Sequence, residues 1–177
     1  KGLLHDVPSS TPLLVVTAGT GVAPMRALAQ ERTATETTSV ADETPLDVLL
    51  FGCRHETTDY LYGEEWQRYN ERQPPRGRVY PAYSRDPRAA QMLGLDRSDR
   101  GVYVQDLLLH NQEVGEAAWR LLCAADSCVF IAGNINMPKG VKAAITQLVA
   151  RMAETSGEDA EAFVKALVSR GRYHVEA

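Results

Sequence analysis

The sequence is short of the residues that several common protein classes depend on. Its cysteines (Cys53, Cys123 and Cys128) form no C-x-x-C pair, which is typical of a reduced intracellular protein rather than of a disulfide framework. No H-E-x-x-H or G-x-S-x-G motif is present, so metalloprotease and serine-hydrolase chemistry are disfavoured and no metal site is expected. No apolar run approaches the roughly 20 residues that cross a bilayer, and no signal-peptide pattern is found. We therefore expect a cytoplasmic protein.

Net positive charge is also lacking. Lys and Arg number 19 against 23 Asp and Glu, a net charge of −4. This argues against nucleic acid as the main partner, since binding a phosphate backbone needs a dominant basic face. The basic residues are unevenly spread, because residues 76–100 hold six arginines against three acids. Such a stretch suits a small anionic ligand, although a solvated arginine-rich loop explains it equally well.

The length and composition fit one domain. The chain has 177 residues, of which 44% are hydrophobic and 24% charged, enough for a sizeable core. We assign residues 1–177 to that domain, and the abrupt start at Lys1 leads us to expect a piece of a longer polypeptide. Residues 33–45 are polar and without periodicity, which predicts a loop.

A glycine pair separates a predicted strand from a predicted helix near the start of the chain. The apolar run from residue 13 predicts a buried strand, and residues 24–32 predict a helix with Pro24 at its first position. Gly19-Thr-Gly21 is then a turn whose N–H groups and helix dipole can receive a phosphate. A purely structural turn is the alternative, because Pro24 replaces the third glycine of the dinucleotide fingerprint and no P-loop Gly-Lys-Ser/Thr follows.

Strand and helix patterns alternate along the rest of the chain. Apolar runs predict strands at 47–54, 78–83 and 127–132, with a short extended segment at 172–175 and a long polar loop after Arg85. Helical periodicity predicts helices at 57–69, 102–109, 114–124, 137–152 and 160–169, with Tyr62, Trp66 and Tyr69 on one core-facing side. This alternation predicts an α/β fold, a doubly wound Rossmann-like parallel sheet with helices on both faces.

The predicted topology brings candidate residues to one edge of the sheet. Ligands of such sheets bind beyond the carboxyl ends of the strands, where the strand order reverses. With the order 3-2-1-4-5, taken by analogy, the Gly19 turn faces Gly133-Asn134, and Arg54, Ser84 and Arg85 lie on the same rim. An arginine rather than a carboxylate after the second strand favours NADP over NAD or S-adenosylmethionine, which leaves a methyltransferase as a weaker alternative.

Five motifs then occur in one order along the chain. They are Gly19-Thr-Gly-Val-Ala-Pro24, Phe51-Gly-Cys-Arg54, Ala82-Tyr-Ser-Arg85, Val102-Tyr-Val-Gln105, and Ala132-Gly-Asn134 with Met137. Together they closely resemble the NADPH-binding module of the diflavin reductases, the family that includes cytochrome P-450 reductase, in its C-terminal, ferredoxin-reductase-like part. The resemblance spans nearly the whole chain.

The resemblance implies a role within a larger flavoprotein. NADPH would pass a hydride to FAD, and electrons would travel through FMN to an acceptor protein, with FAD-binding and FMN-binding domains in the same parent chain. Ala132-Gly-Asn134, Met137-Pro138 and Glu176 look more like the cytosolic branch, which serves an iron–sulfur assembly partner. A microsomal cytochrome P-450 reductase module and a stand-alone regulatory nucleotide-binding domain are the alternatives. The isolated chain should bind nucleotide without turnover.

The resemblance also implies residue roles. The cofactor-binding residues would be Gly19, Thr20 and Gly21 at the pyrophosphate, Ser84 and Arg85 at the 2′-phosphate, Arg54, Tyr103 and Gln105 along the adenosine, and Asn134 and Met137 at the adenine and ribose. Arg100 would supply the charge of a lysine that the family commonly has where this chain has Gly101. Glu176 would be the catalytic acidic residue near the nicotinamide.

Overall fold

The computed structural model describes residues 7–8, 10–34, 47–73 and 75–176. These residues form a five-stranded parallel sheet in the order β3-β2-β1-β4-β5. The strands are β1 (Leu13–Ala18), β2 (Asp47–Cys53), β3 (Gly77–Tyr83), β4 (Cys128–Ala132) and β5 (Tyr173–Glu176). The predicted α/β class, the parallel sheet and the assumed strand order are confirmed.

Helices connect the strands and cover both faces of the sheet. In chain order they are α1 (Val22–Ala34), α2 (Glu56–Asp59), α3 (Gly63–Asn70), α4 (Pro87–Met92), α5 (Val104–His110), α6 (Gln112–Cys123), α7 (Met137–Met152) and α8 (Gly157–Ser169). Within the described ranges, no helix is both long enough and apolar enough to span a bilayer.

The sheet is apolar on both faces because helices pack against each of them. Along β1, Leu14 and Val16 point into the core formed with α5 to α8, whereas Leu13 and Val15 point into the core formed with α1 and α3. This follows from the two-residue period of a strand, whose successive side chains face opposite sides. A central strand buried on both faces is therefore a continuous apolar run rather than an alternating one.

The helix predicted over 57–69 is divided in two. Tyr62 adopts a left-handed backbone conformation with φ of 62°, and α3 begins only at the next residue. The indole Nε1 of Trp66 donates to the carbonyl of Leu61 at 2.8 Å, which holds the break in place. Trp66 and Tyr69 are buried as predicted, but the prediction for Tyr62 is wrong, since the break leaves it 40% exposed.

Three boundary predictions also need correction. Helix α1 begins at Val22, so Pro24 is its third residue, still within the first turn, where a missing N–H breaks no helical bond. Of the polar loop predicted at 33–45, Thr33 and Ala34 belong to α1, and the remainder lies outside the described residues. The segment after Arg85 is not all loop, because Asp86 caps the short helix α4, which has Pro87 at its first position.

A buried charge cluster holds the amino ends of β1 and β2. The carboxylate of Asp47 accepts from the backbone N–H of Leu13 at 2.8 Å and pairs with Arg32 at 3.1 Å and Arg76 at 3.5 Å. All three charged side chains are at most 5% exposed. The cluster lies at the opposite end of the sheet from the strands' carboxyl ends.

Candidate functional site

A cavity of about 690 Å³ opens at the carboxyl ends of the strands. It lies at the edge that the sequence predicts, where the strand order reverses between β1 and β4. Its walls come from the glycine turn after β1, the ends of β2 and β3, the start of α5 and the loop before α7. The lining residues are Ala18, Gly19, Thr20, Gly52, Cys53, Arg54, Thr58, Asp59, Leu61, Ala82, Ser84, Val102, Tyr103, Val104, Gln105, Asn134, Asn136 and Met137.

The two glycines of the turn are required for different reasons. Gly19 has φ of +57°, a conformation that L side chains rarely adopt, although a Cβ there would meet no atom within 4 Å. At Gly21 a Cβ would overlap the carbonyl oxygen of Ala132, so this glycine lets the turn approach β4. Thr20 between them is exposed and lines the cavity. The turn is a short 3-10 helix that leads straight into α1, and Val22 N–H, the first of α1, donates back to Gly19 O. The N–H groups at the start of this continuous helix are therefore those of the turn itself, and N–H groups in such a position attract anions.

The loop after β4 brings a second helix to the same cavity. Asn134 accepts from the backbone N–H of Asn136 through its side chain and from that of Met137 through its carbonyl, both at 3.0 Å. Helix α7 then begins at Met137, which is nearly buried. Asn134, Asn136 and Met137 thus form one wall of the cavity, beside the start of α7.

The rim beyond β2 and β3 is held by hydrogen bonds that continue the sheet. Ser84 N–H donates to Cys53 O and Arg85 N–H to Arg54 O, each at 2.9 Å. The Ser84 hydroxyl also donates to Cys53 O at 3.1 Å. The turn containing Ser84 and Arg85 therefore lies directly beside the end of β2.

Most arginines of residues 76–100 are paired with carboxylates. The pairs are Arg76 with Asp47, Arg78 with Glu113, Arg88 with Asp86, and both Arg97 and Arg100 with Asp106. Arg85 differs, because its guanidinium has no ion pair or side-chain hydrogen bond to any residue that the structure describes. It is exposed and adjoins Ser84. The stretch is thus largely neutralised, and Arg85 is its one arginine without a carboxylate partner among the residues that the structure describes.

Asp59 is a cavity residue that sequence reasoning missed. Its Oδ1 pairs with Arg54 Nη2 at 2.8 Å, and that hydrogen bond lowers the pKa of the Asp59 carboxyl. Although no acid follows β2 directly, the turn at α2 brings this carboxylate to the cavity. The positive charge of Arg54 is therefore largely offset at the rim, and the spacing of five residues was the only sequence signal for the pair.

Cys53 contributes an apolar surface rather than a charge. Burial, together with the nearby carboxylates of Asp59 and Glu56, raises the pKa of the Cys53 thiol to about 12. The thiol is neutral at pH 7 and does not repel an anion. Among the described residues, no group of three or more His, Cys, Asp or Glu side chains is placed to hold a metal ion.

The start of α5 forms the opposite wall. Tyr103 is 43% exposed and lines the cavity, and the guanidinium of Arg100 lies 4.4 Å from the centre of its ring. Gln105 also lines the cavity and lies against Gly140 of α7, where a Cβ would be 3.4 Å from its Nε2. Aromatic and amide groups thus face the strand ends across the cavity.

Most of the residues singled out from the sequence come together. Those lining the cavity are Gly19, Thr20, Arg54, Ser84, Tyr103, Gln105, Asn134 and Met137. Gly21, Arg85 and Arg100 do not line it, although each is next to or stacked on a residue that does. Glu176 ends β5 and lines a separate cavity of about 20 Å³ with Thr17, Pro24 and Ala132.

Comparison with known proteins agrees with this geometry. Residues 15–143 match the family described as "Oxidoreductase NAD-binding domain". NADPH-dependent diflavin oxidoreductase 1 of Schizosaccharomyces pombe is 34% identical to the chain, in an alignment that covers 95% of the chain and 25% of that protein. The Arabidopsis thaliana protein of the same name is also 34% identical, in an alignment that covers 100% of the chain and 27% of that protein. NADPH–cytochrome P450 reductase of Candida tropicalis is 30% identical to the chain, in an alignment that covers 93% of the chain and 22% of that protein. The chain thus spans about a quarter of the length of these relatives. It belongs to the oxidoreductase NAD-binding domain family, as an NADPH-binding module of the diflavin reductase type.

Proposed function

We propose that the chain binds NADPH in the cavity at the strand ends, with the pyrophosphate at the glycine turn and the 2′-phosphate at Ser84 and Arg85. The observation that carries this proposal is that Thr20 and Ser84 line the same cavity, while Arg85 beside Ser84 has no partner among the described residues. Arg85 directly follows Ser84 in the chain, and a guanidinium and a hydroxyl from neighbouring residues can together hold a phosphate through charge-assisted hydrogen bonds.

The charge pattern supports NADPH over NADH. Arg54 is paired with Asp59 at the end of β2, so among the described residues of this rim the positive charge without a carboxylate partner is on Arg85. Only the phosphorylated ribose gives that charge a counterpart, because the unphosphorylated ribose is neutral. The cavity also brings together groups suited to a nucleotide: the N–H groups of the glycine turn, the aromatic ring of Tyr103, and the Ser84 hydroxyl, which would turn from Cys53 O to the phosphate.

In the parent protein we infer a reductase. When bound, NADPH supplies a hydride, which FAD of the parent accepts before electrons pass through FMN to an acceptor protein. This chain binds and orients the nucleotide, and an isolated chain should not turn over. The relatives' names and the quarter of their length that the chain spans support FAD-binding and FMN-binding domains elsewhere in the parent.

For the acceptor we prefer an iron–sulfur assembly partner and a cytoplasmic parent. The support is the likeness to the two proteins named NADPH-dependent diflavin oxidoreductase 1. Ala132-Gly-Asn134, Met137-Pro138 and Glu176, which resemble the cytosolic branch, add to it. A microsomal cytochrome P-450 reductase is the second candidate, since a relative of that kind is 30% identical. Electron transfer from the full-length parent to each class of acceptor, measured side by side, distinguishes the two.

Glu176 is proposed to act near the nicotinamide. It ends β5 in register with Ala132 of β4 and lines the small cavity that includes Thr17 and Pro24, separate from the cavity proposed for the adenosine. There its carboxylate can hold a proton or stabilise developing charge. We expect Glu176→Gln in the full-length parent to slow hydride transfer without changing NADPH affinity, and an unchanged rate in stopped-flow measurements would remove this role.

The proposed function is tested by titrating the chain with NADPH and, in parallel, with NADH. We expect NADPH to bind at least about ten-fold more tightly, because one charge-assisted interaction is worth about 1.5–3 kcal/mol. Equal affinities, or binding of neither nucleotide, would contradict the proposal. Finding no flavin domains beside this module in its gene would favour the stand-alone regulatory alternative.

A further inference from the structure

Asp106 joins three residues of the segment that leads into α5. Its side chain is in the first turn of α5 and only 6% exposed. The Oδ2 atom accepts from Arg97 Nη1 at 3.0 Å, from Arg100 Nη1 at 3.2 Å and from the backbone N–H of Tyr103 at 2.9 Å. One carboxylate oxygen thus fixes two arginines and the residue that precedes the helix.

The ionised form of Asp106 is the one that this arrangement stabilises. Burial by itself would raise the pKa of Asp106, but the hydrogen bonds from Arg97, the Tyr103 backbone and Arg100 outweigh it and hold that pKa below its ordinary value. The carboxylate therefore keeps its charge at neutral pH, and both arginines remain attracted to it.

Arg100 is turned towards Tyr103 rather than into the cavity. Its guanidinium lies 4.4 Å from the centre of the Tyr103 ring while its Nη1 is bound to Asp106. Tyr103 lines the cavity, whereas neither Arg97 nor Arg100 does. A guanidinium stacked on an aromatic face restricts the orientation of that ring. Arg100 therefore adjoins the cavity through the Tyr103 ring.

The backbone around Arg100 is fixed as well. Gly101 N–H donates to Ser84 O at 3.0 Å and Val102 N–H to Tyr83 O at 2.9 Å. A Cβ on Gly101 would overlap the carbonyl oxygen of Tyr83, so the chain passes directly against the turn that carries Ser84. These contacts fix the backbone from which the Arg100 side chain extends, and the side chain itself is held by Asp106 and Tyr103.

We propose that Asp106 is a positioning residue for the nucleotide: by holding Arg100 against Tyr103, it fixes the aromatic wall on which the adenosine packs. Arg100 then serves the adenosine through Tyr103 and does not contact the 2′-phosphate. The inference rests on the proposed function, because it assumes that an adenine nucleotide occupies the cavity. It predicts equal consequences for nucleotides with and without a 2′-phosphate.

Simple electrostatics predicts the opposite result. If Asp106 acted only as a negative charge near an anion site, neutralising it would tighten phosphate binding, and more so for the nucleotide with the extra phosphate. If Arg97 or Arg100 contacted the 2′-phosphate directly, losing Asp106 would change the ratio of the two affinities. Positioning alone predicts weaker binding with an unchanged ratio.

The test is calorimetry of the chain with AMP and with 2′-phospho-AMP. We expect Asp106→Asn to weaken both by about three- to ten-fold, the scale of a cation–π contact, and to leave their ratio as in wild type. Asp159→Asn is the matched control, since Asp159 is the third residue of α8, accepts from Ser156 at 2.8 Å and lies away from the cavity. It should leave both affinities unchanged.

Two further variants separate positioning from general loss of structure. Arg100→Met leaves the hydrogen bond from Tyr103 N–H to Asp106 intact and should weaken the binding of AMP and of 2′-phospho-AMP by the same factor. This variant replaces Asp106→Asn in the test if Asp106→Asn folds poorly. In a Tyr103→Ala background, Asp106→Asn should cause no further loss of affinity while still lowering Tm. A structural role alone would weaken binding equally in both backgrounds.

The outcomes are distinct from failure of the proposed function. A wild-type chain that binds neither nucleotide would overturn the proposed function and this inference with it. A wild-type chain that prefers 2′-phospho-AMP, with Asp106→Asn binding both nucleotides at least as tightly, would overturn this inference alone. A selective loss for 2′-phospho-AMP in Asp106→Asn or Arg100→Met would do the same.

Discussion

Gly21 and Ala132 approach so closely that a Cβ on Gly21 would overlap the Ala132 carbonyl oxygen and lie 2.9 Å from its carbonyl carbon. Through this contact the turn after β1 rests on the end of β4, and the two neighbouring strands at the switch point form a single surface. The glycine turn is therefore part of the sheet's packing as well as the proposed site of the pyrophosphate.

Gly21→Ala should disturb both packing and binding. The new methyl group meets backbone rather than a flexible side chain, so we expect destabilisation of about 1–3 kcal/mol. Nucleotides with and without a 2′-phosphate should bind more weakly, because the turn itself is displaced. Gly19→Ala is the comparison: it has open space but a positive φ and should cost about 1 kcal/mol. Urea denaturation of both variants measures this, and a fully stable Gly21→Ala protein would contradict the packing argument.

Arg85→Ala should remove the preference for NADPH. Without the guanidinium, the free energy of NADPH binding should weaken by about 1.5–3 kcal/mol, with NADH nearly unaffected. Arg88→Ala is the matched control, because Arg88 is close in sequence and exposed but already paired with Asp86 at 2.8 Å. Fluorescence or calorimetric titration with both nucleotides measures the effect. Equal losses for NADPH and NADH would show that Arg85 does not contact the 2′-phosphate.

The strands of the sheet could be predicted from apolar runs in the sequence, and their order from the analogy with doubly wound folds. Continuous apolar runs such as residues 48–51 predict strands of a covered parallel sheet, and these residues are indeed buried. The break at Tyr62 was not predictable, because Tyr62, Trp66 and Tyr69 keep helical spacing and the positive φ has no glycine to signal it. Helix α4 had a signal, since an Asp before a proline is a common helix start.

The site was predictable as a set of positions but not as a set of charges. Once the strand order is known, residues that follow the strands must share an edge, which is why Thr20, Ser84 and Asn134 line one cavity. Which arginines are free depends on partners reached through folding. Arg97 and Arg100 both meet Asp106, and Arg54 meets Asp59, whereas composition alone counts all of them as available.

Asp47→Asn should destabilise the fold without affecting the cavity. The change removes the negative charge from a buried cluster containing Arg32 and Arg76, and we expect a loss of about 3–5 kcal/mol, typical of breaking a buried pair. Nucleotide affinity of the protein that remains folded should be unchanged, since the cluster is at the amino ends of the strands. Glu161→Gln, on an exposed pair with Lys165, should change stability by less than about 0.5 kcal/mol. A similar loss of stability in the two variants would show that the buried charge cluster around Asp47 does not stabilise the fold more than an exposed ion pair does.

The ionised carboxylate of Asp106 should stabilise the fold at neutral pH, and this stabilisation should disappear at strongly acidic pH. Because its pKa is held below the ordinary value near about 4, Asp106 contributes stability that is present above that pH and is lost as pH falls through the lowered pKa. We expect Asp106→Asn to cost about 1–2 kcal/mol at pH 7. Denaturation from pH 7 down to about pH 3 should show this difference shrinking. A difference that grows on acidification would mean that the folded protein favours the protonated form.

The most direct test of the account is the binding of 2′-phospho-AMP against AMP to the unmodified chain, measured by calorimetry at low and at physiological salt. We expect 2′-phospho-AMP to bind at least about ten-fold more tightly than AMP. This ratio of affinities should fall as salt screens the Arg85 charge. Arg85→Ala should bring the two affinities together. Equal binding of the two nucleotides by the unmodified chain would contradict the assignment of this cavity to a 2′-phosphorylated adenine nucleotide.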